Sequence, residues 1–345
     1  MKVVSLDLHA ETSQMFVSDE SGQVVAETQV PTRKDALREA VGAVEGQKCV
    51  VFEEGPLSVL VKEALEGVAE QVVSCDPAYN ALIARDEDHS DERDARHLEK
   101  LFRLEAVRPV HVPEEPFQSL RSLLSHRLAL QGRATAVKNG IKALARRNGL
   151  CARGKRLYRR KEREEVLEDI SSAAMRWQME SLGRELDMLS EEISKAEGMI
   201  GRLCGALPMS QRLQSVPGVG PIVAATIVAW IVDPARFKSA GALSAYAGLG
   251  LGQAVTNWQR VGPARASRRG NRQLKRVLFL AAGAAARTDT ALGRRYRYRC
   301  RQGWGQIRAK RDVARKLLHT ACAIWKKGTQ YDEDQVNGPQ IDSQS

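Results

Sequence analysis

The chain has 345 residues, a formal net charge of +11 and a pI of about 9.5, with 43% hydrophobic residues but only 5% aromatic ones. That length accommodates two domains, the core must be filled by Leu, Val, Ile and Ala, and the basic excess suits a polyanionic partner. A membrane span is excluded because no apolar run approaches the ~20 residues it needs, and a disulfide or zinc framework because the six cysteines are scattered without a Cys-x-x-Cys pair.

The opening Met1-Lys2-Val3-Val4-Ser5-Leu6-Asp7 carries an acid where a signal peptide is apolar, so the expected setting is the reducing cytoplasm, at the nucleoid. Residues 3–8, 15–18 and 23–29 read as strands, with the turn Asp19-Glu20-Ser21-Gly22 before the third and Pro31 after it. Residues 36–44 read as a helix, 48–53 as an apolar strand ending in acid, 57–65 as a helix and 71–74 as a strand. A hairpin-led sheet followed by alternating helices and strands is the ribonuclease-H-like order, so residues 1–110 are expected to form an α/β domain.

Residues 111–207 read as a helical connector. Leu130, Ala134, Val137, Ile141 and Leu144 repeat at four and three, as do Leu182, Leu186, Leu189, Ile193, Ala196, Ile200 and Leu203. These are seams of coiled-coil type that meet either within one chain or between subunits. Asn148-Gly149 and Gly154 mark the turn between two long helices. Residues 208–330 form a mostly helical domain. It has helix, tight turn and helix over 211–231, a helix over 240–248, a Gly-rich loop over 248–262 and final helices over 273–287 and 307–327. The polar tail 331–345 is expected to be disordered.

The chemistry resides in acids and arginines. Asp7 sits mid-strand between Leu6 and Leu8, an expensive place for a carboxylate that binds nothing. Glu53, with Glu54 beside it, ends the next long strand; Asp91 and Asp94, spaced to share a face, open a helix. Asp7, Glu53, Asp91 and Asp94 converging at strand ends would hold two hard cations such as Mg²⁺, about 4 Å apart, across a phosphoryl transfer. Leu213-Gln214-Ser215-Val216-Pro217-Gly218-Val219-Gly220 resembles a helix-hairpin-helix turn, in which Gly218 and Gly220 admit a phosphate to a helix N-terminus. From Trp258 to Arg276 the sequence has Arg260, Arg265, Arg268, Arg269, Arg272, Lys275 and Arg276 with no acid between them. A second arginine cluster, Arg294, Arg295, Arg297, Arg299 and Arg301, is interleaved with Tyr296 and Tyr298. Arginine forks suit phosphates and aromatic rings stack on bases. Thr256 and Ser267 are the hydroxyls within this stretch that suit a nucleophile.

These residues resemble the insertion-sequence transposases with an N-terminal Asp-Glu-Asp-Asp domain, relatives of the Piv and MooV DNA invertases. The resemblance rests on Val4-Ser5-Leu6-Asp7, Val50-Val51-Phe52-Glu53 and Ser90-Asp91-Glu92-Arg93-Asp94-Ala95 in the first half. In the second half it rests on Pro217-Gly218-Val219-Gly220, Phe237, Tyr246-Ala247-Gly248-Leu249 and Ser267-Arg268-Arg269-Gly270-Asn271-Arg272. It implies a RuvC-like catalytic domain binding Mg²⁺ through the four acids, and a C-terminal transposase domain with a serine nucleophile. It also implies dimers or tetramers joined through the helical middle, and a structured non-coding RNA that pairs with donor and target DNA. The family's Ser-Gly pair falls on Thr256-Asn257 when counted without gaps from Gly248-Leu249, so Thr256 is the expected nucleophile and Ser267 the alternative. A Holliday-junction-resolvase-like nuclease would use the same acids with water, and a non-catalytic transposase-derived protein would bind nucleic acid without cutting it.

Overall fold

In the first half of the chain, alternating apolar residues build a sheet. The computed structural model describes residues 1–77, 79–80, 91–149, 156–168, 170–256, 259–266 and 270–335, with backbone alone at 91–94, 251–256 and 259–266. Strands β1 (Lys2–Leu8), β2 (Thr12–Ser18) and β3 (Val24–Pro31) form an antiparallel meander. After helix α1 (Lys34–Gly42), β4 (Lys48–Glu53) pairs in parallel with β1; after helix α2 (Ser58–Leu65), β5 (Gln71–Cys75) pairs in parallel with β4. Helix α3 (Asp91–Arg103) follows, and β6 (Pro109–Val110), too short to be read from sequence pattern, closes the edge antiparallel to β5. The order across the sheet is β3-β2-β1-β4-β5-β6.

Strand periodicity of two decides what covers each face. Val4, Leu6, Met15, Val17, Val50 and Phe52 lie under Leu37 and Val41 of α1 and Val61, Ala64 and Leu65 of α2. The alternate residues Val3, Val51 and Cys75 pack against Leu98 of α3. Asp7 is in phase with Val3 and therefore on the α3 face.

The chain divides into two compact units, Met1–Glu114 and Glu115–Ser345. In the second unit, α4 (Phe117–Arg147) and α6 (Ala173–Gly205), with the short α5 (Arg160–Glu168) between them in sequence, form an antiparallel pair. Leu130, Ala134, Val137 and Ile141 meet Met179, Leu186 and Leu189, while Leu120 and Leu124 meet Ile200 and Cys204. Both seams read from the sequence thus bury against each other within one chain. Arg163 of α5 is buried, ion-paired with Asp187 and lying so close over Gly183 that a Cβ there would collide with its guanidinium.

The remaining core is centred on α8 (Pro221–Ile231), whose apolar side chains pack with α7 (Pro208–Leu213), α10 (Arg272–Ala285) and α12 (Gln306–Lys327). Helix α9 (Ala240–Tyr246) precedes a correction to the expected Gly-rich loop. Leu251–Thr256 and Gln259–Ala266 form an antiparallel hairpin, β7 and β8, with Thr256 paired to Gln259. The glycines obscured this in sequence, but Val255, Thr256 and Val261 are β-branched and favour extended backbone. Helix α11 (Ala291–Arg301), also unforeseen, contains the second arginine cluster. The tail is not wholly free: the Tyr331 N–H donates to Ser215 Oγ (2.8 Å) and Glu333 pairs with Arg294 (2.5 Å). No helix among the described residues is long and apolar enough to cross a membrane.

Candidate active site

The parallel register of β1 and β4 runs through Leu6↔Phe52, so the next pair along it is Asp7 and Glu53. Aligned residues on parallel neighbours share a face, and strands lie ~4.8 Å apart, so these two acids are side by side. Asp7 retains a quarter of its side-chain exposure, and His9 Nε2 lies 3.0 Å from its Oδ2. Glu53 Oε1 accepts from Asn80 Nδ2 at 2.9 Å. Opposite Glu53 in the register is Cys75, whose thiol is pushed up to about 12, first by burial and then by the Glu53 charge. Held protonated in this way, the nearest thiol is a poor nucleophile. Glu54 lies just past the strand, its N–H donating to the Cys75 carbonyl at 2.8 Å. Both acids are exposed, and of the two Glu53 is the one in register with Asp7.

Contacts along α3 establish where its first turn lies. Glu99 accepts from Ser18 Oγ at 2.5 Å, and Arg103 Nη2 donates to the same oxygen at 2.7 Å; Ser18 pairs with Val3 at the start of β1. One level further along, Arg96 lies 5.5 Å over the Phe16 ring and pairs with Glu27 Oε2 at 2.5 Å; Phe16 pairs with Ser5. Two strand residues advance ~6.7 Å and four to five helical residues about 6–7.5 Å. The next step along both therefore brings the turn of Asp91 and Asp94 level with Asp7. Their backbone begins α3; their side chains lie outside the described residues. Among the described residues no group of three or more His, Cys, Asp or Glu is placed to hold a metal.

In the second unit Thr256 ends β7, with its backbone alone described, as for Arg260 and Arg265 on β8; Trp258, Ser267, Arg268 and Arg269 lie outside the described residues. The base of this hairpin is a rigid clasp. Gly248 and Gly270 have φ of +66° and +103°, and a Cβ on Gly270 would come within 2.5 Å of the Gly248 nitrogen. The Asn271 N–H donates to the Tyr246 carbonyl at 2.7 Å, while the Asn271 side chain caps α10 by accepting from the Leu274 N–H at 2.8 Å. Arg315 Nη2 donates to the Leu249 carbonyl at 2.8 Å. Arg272 is exposed and Lys275 half-buried in the first turn of α10, where a helix dipole opposes cations. Gly220 N-caps α8 with open space around it. Gly218, at φ +88°, faces the Ala281 carbonyl so closely that any Cβ would collide with it. The close approach that glycine permits at 218 is therefore to α10.

The second arginine cluster differs from its sequence reading. Asp312 accepts from Arg295 Nε (2.7 Å) and Arg299 Nε (3.0 Å), Asp289 pairs with Arg297 (2.6 Å), and Glu333 pairs with Arg294. Burial works to raise the Asp312 carboxyl, but the hydrogen bonds and charges of Arg295 and Arg299 outweigh it and hold the group below its usual value. A stretch with a single sign of charge in sequence is thus a mixed surface in space.

Sequence reasoning missed Asn80 and His9. His9 could have been suspected, since it follows Asp7 at the strand's period of two; Asn80 stands in no motif. It also missed Ser244, whose Oγ lies 2.9 Å from His319 Nε2. The same nitrogen lies 3.2 Å from the Ala240 carbonyl, which can only accept. Nε2 therefore carries a proton and donates, and the pair is a tie between α9 and α12, not a base activating a hydroxyl.

Comparison with known proteins supports these two halves separately. A transposase model of the IS110 DEDD type matches residues 4–147, and a model described as transposase IS116/IS110/IS902 family matches residues 210–297. The chain is 32% identical over 161 residues to the "Insertion element IS110 uncharacterized 43.6 kDa protein" of Streptomyces coelicolor, covering 47% of this chain and 40% of that protein. It is 28% identical over 299 residues to the "Transposase for insertion sequence element IS1111A" of Coxiella burnetii, covering 83% of this chain and 78% of that protein.

Proposed function

The chain belongs to the IS110 family of DEDD transposases, and from that premise we propose that it cleaves and exchanges DNA strands through a covalent protein–DNA intermediate. The observation that carries the reading is the register that sets Asp7 and Glu53 side by side on one face of a six-stranded sheet, the face on which α3 packs. This is the arrangement a ribonuclease-H-like site of four acids requires.

Asp7, Glu53, Asp91 and Asp94 would hold Mg²⁺. The donor set fits a hard cation, because its described members are carboxylates. A buried amide oxygen beside Glu53, Asn80 Oδ1, also has no hydrogen-bond partner among the described residues. When bound, the cation offsets charge that builds on the phosphoryl oxygens and eases deprotonation of a hydroxyl.

The second unit supplies the nucleophile and the phosphate grip. Thr256 Oγ1 forms a bond to phosphorus as a P–O bond to deoxyribose breaks. The proton lost from Oγ1 is balanced by one taken up at the leaving sugar oxygen. One phosphoester replaces another, so no nucleoside triphosphate is consumed, consistent with the lack of a Gly-x-x-x-x-Gly-Lys-Ser/Thr loop. Arg260, Arg265, Arg268, Arg269 and Arg272, with Lys275 and Trp258, bind phosphates and bases. Exposed Arg272 at the first position of α10 suits an anion held there, because the dipole disfavours a cation at that end. The protein works as a dimer or tetramer, and a structured non-coding RNA pairs with donor and target DNA.

The test is a covalent-adduct assay with Mg²⁺, RNA transcribed from the flanking DNA, and labelled donor and target duplexes. The parent protein yields a DNA–protein band on a denaturing gel, lost in Asp7→Ala and in Thr256→Ala but retained in Ser267→Ala. Nicked DNA that requires Asp7 but neither hydroxyl would replace this reading with a hydrolytic nuclease.

A further inference from the structure

Asn80 has no role in the reaction just described, yet it is 3% exposed and its amide is half satisfied. The backbone explains its position. After β5, the Tyr79 and Asn80 N–H groups both donate to the Asp76 carbonyl at 3.1 Å, while the Asp76 N–H is fixed by the Arg108 carbonyl at 2.9 Å. This helical turn follows β5, and Asn80 Nδ2 reaches back to Glu53 Oε1 on the neighbouring β4 at 2.9 Å. A carboxylate only accepts, so the nitrogen end of the amide must face Glu53. The oxygen end, Oδ1, is buried without a hydrogen-bond partner among the described residues. Burying an amide oxygen unpaired is unfavourable, and such groups are retained where something else satisfies them.

We propose that Asn80 is part of the metal centre: its N–H group fixes the rotamer of Glu53, and its Oδ1 is a neutral oxygen ligand for the divalent cation that Asp7 and Glu53 hold. The inference rests on the metal-dependent reading above. A carboxamide oxygen is a hard donor of the kind Mg²⁺ and Mn²⁺ accept, and it adds no negative charge to a site already crowded with carboxylates.

The experiment is Mn²⁺ binding to the full chain without nucleic acid, followed by the free-Mn²⁺ signal in electron paramagnetic resonance. Thermal melting in EDTA verifies that each variant is folded. Asn80→Ala removes both interactions and is expected to weaken the tightest Mn²⁺ site by about 10–100-fold. Asn80→Asp keeps an oxygen at the same place and is expected to bind at least as tightly as the parent. Folded Asn80→Ala with parental affinity overturns the proposal. So does Asn80→Asp binding as weakly as Asn80→Ala, because Asn80 would then act only by donating to Glu53. Asp7→Asn separates the two readings: if it too retains parental Mn²⁺ affinity, the metal centre itself is misplaced; if it alone loses the ion, only the role of Asn80 falls.

Discussion

Asp7 lies between two leucines in sequence and beside Gln14 and the Phe52–Glu53 edge in space, with His9 Nε2 3.0 Å from its Oδ2, a contact that the amide oxygen of an asparagine can also accept. Neutralising one of two adjacent acids relieves like-charge repulsion. Asp7→Asn is therefore expected to melt at the parental temperature or above in EDTA while losing all strand cleavage; a melting point several degrees lower would make Asp7 a structural residue. His319 gives a second residue-scale prediction. Burial first, then Arg315 and Lys316, lower its imidazole below the usual 6.5, against the hydrogen bond to Ala240. The unfolded chain then takes up the proton more readily than the folded one. Stability is complete above about pH 6.5 and declines as the pH falls through the folded value. Melting curves at pH 7.5 and 5.0 should show a larger acid loss in the parent than in His319→Gln.

At the scale of elements, Gly218 and Gly220, five and seven residues past Leu213, are distinguished by what faces them. Gly218 combines a positive φ with the Ala281 carbonyl, so Gly218→Ala should destabilise by about 2–4 kcal/mol in urea titrations. Gly220 has open space, and Gly220→Ala should stay within about 0.5 kcal/mol. Were Gly218 instead reserved for phosphate, Gly218→Ala would fold normally and lose DNA affinity. The α4–α6 pair rests on its interlocked seam, and Ile141→Ala, at a fully buried position, should cost about 2–5 kcal/mol.

For the molecule as a whole, the +11 charge is unevenly available. Arg294, Arg295, Arg297 and Arg299 are engaged by acids drawn from elsewhere in the chain. Contacts to a polyanion are therefore expected away from α11, at the arginines of the β7–β8 stretch and the start of α10. Removing Arg272 and Lys275 together should reduce the salt slope of DNA binding by about one per charge lost, whereas Arg297→Ala should leave it nearly unchanged. Equal slopes for both variants would relocate the interface to α11.

Patterns of short period were readable without a structure. Alternation in residues 3–8 and 48–53 specified strands, and the four-and-three repeat at Leu130–Ile141 and Leu182–Ile200 specified helices with buried seams, because each depends only on which side of a local axis a residue projects. The acids at 7 and 53 were visible for the same reason, as charges out of keeping with strands otherwise apolar. Tertiary structure alone decided the rest. It set Glu53, not Glu54, in register with Asp7, chose the α4–α6 contact within one chain, and turned a glycine-rich stretch into a clasped hairpin. It also assigned Gly218 to helix packing, Asp312 to the arginines of α11 and Asn80 to Glu53. Each of these joins residues whose separation along the chain exceeds any local repeat. Their partners are selected by burial and by the need of buried donors and acceptors to be satisfied, and no pattern within a single segment encodes that choice.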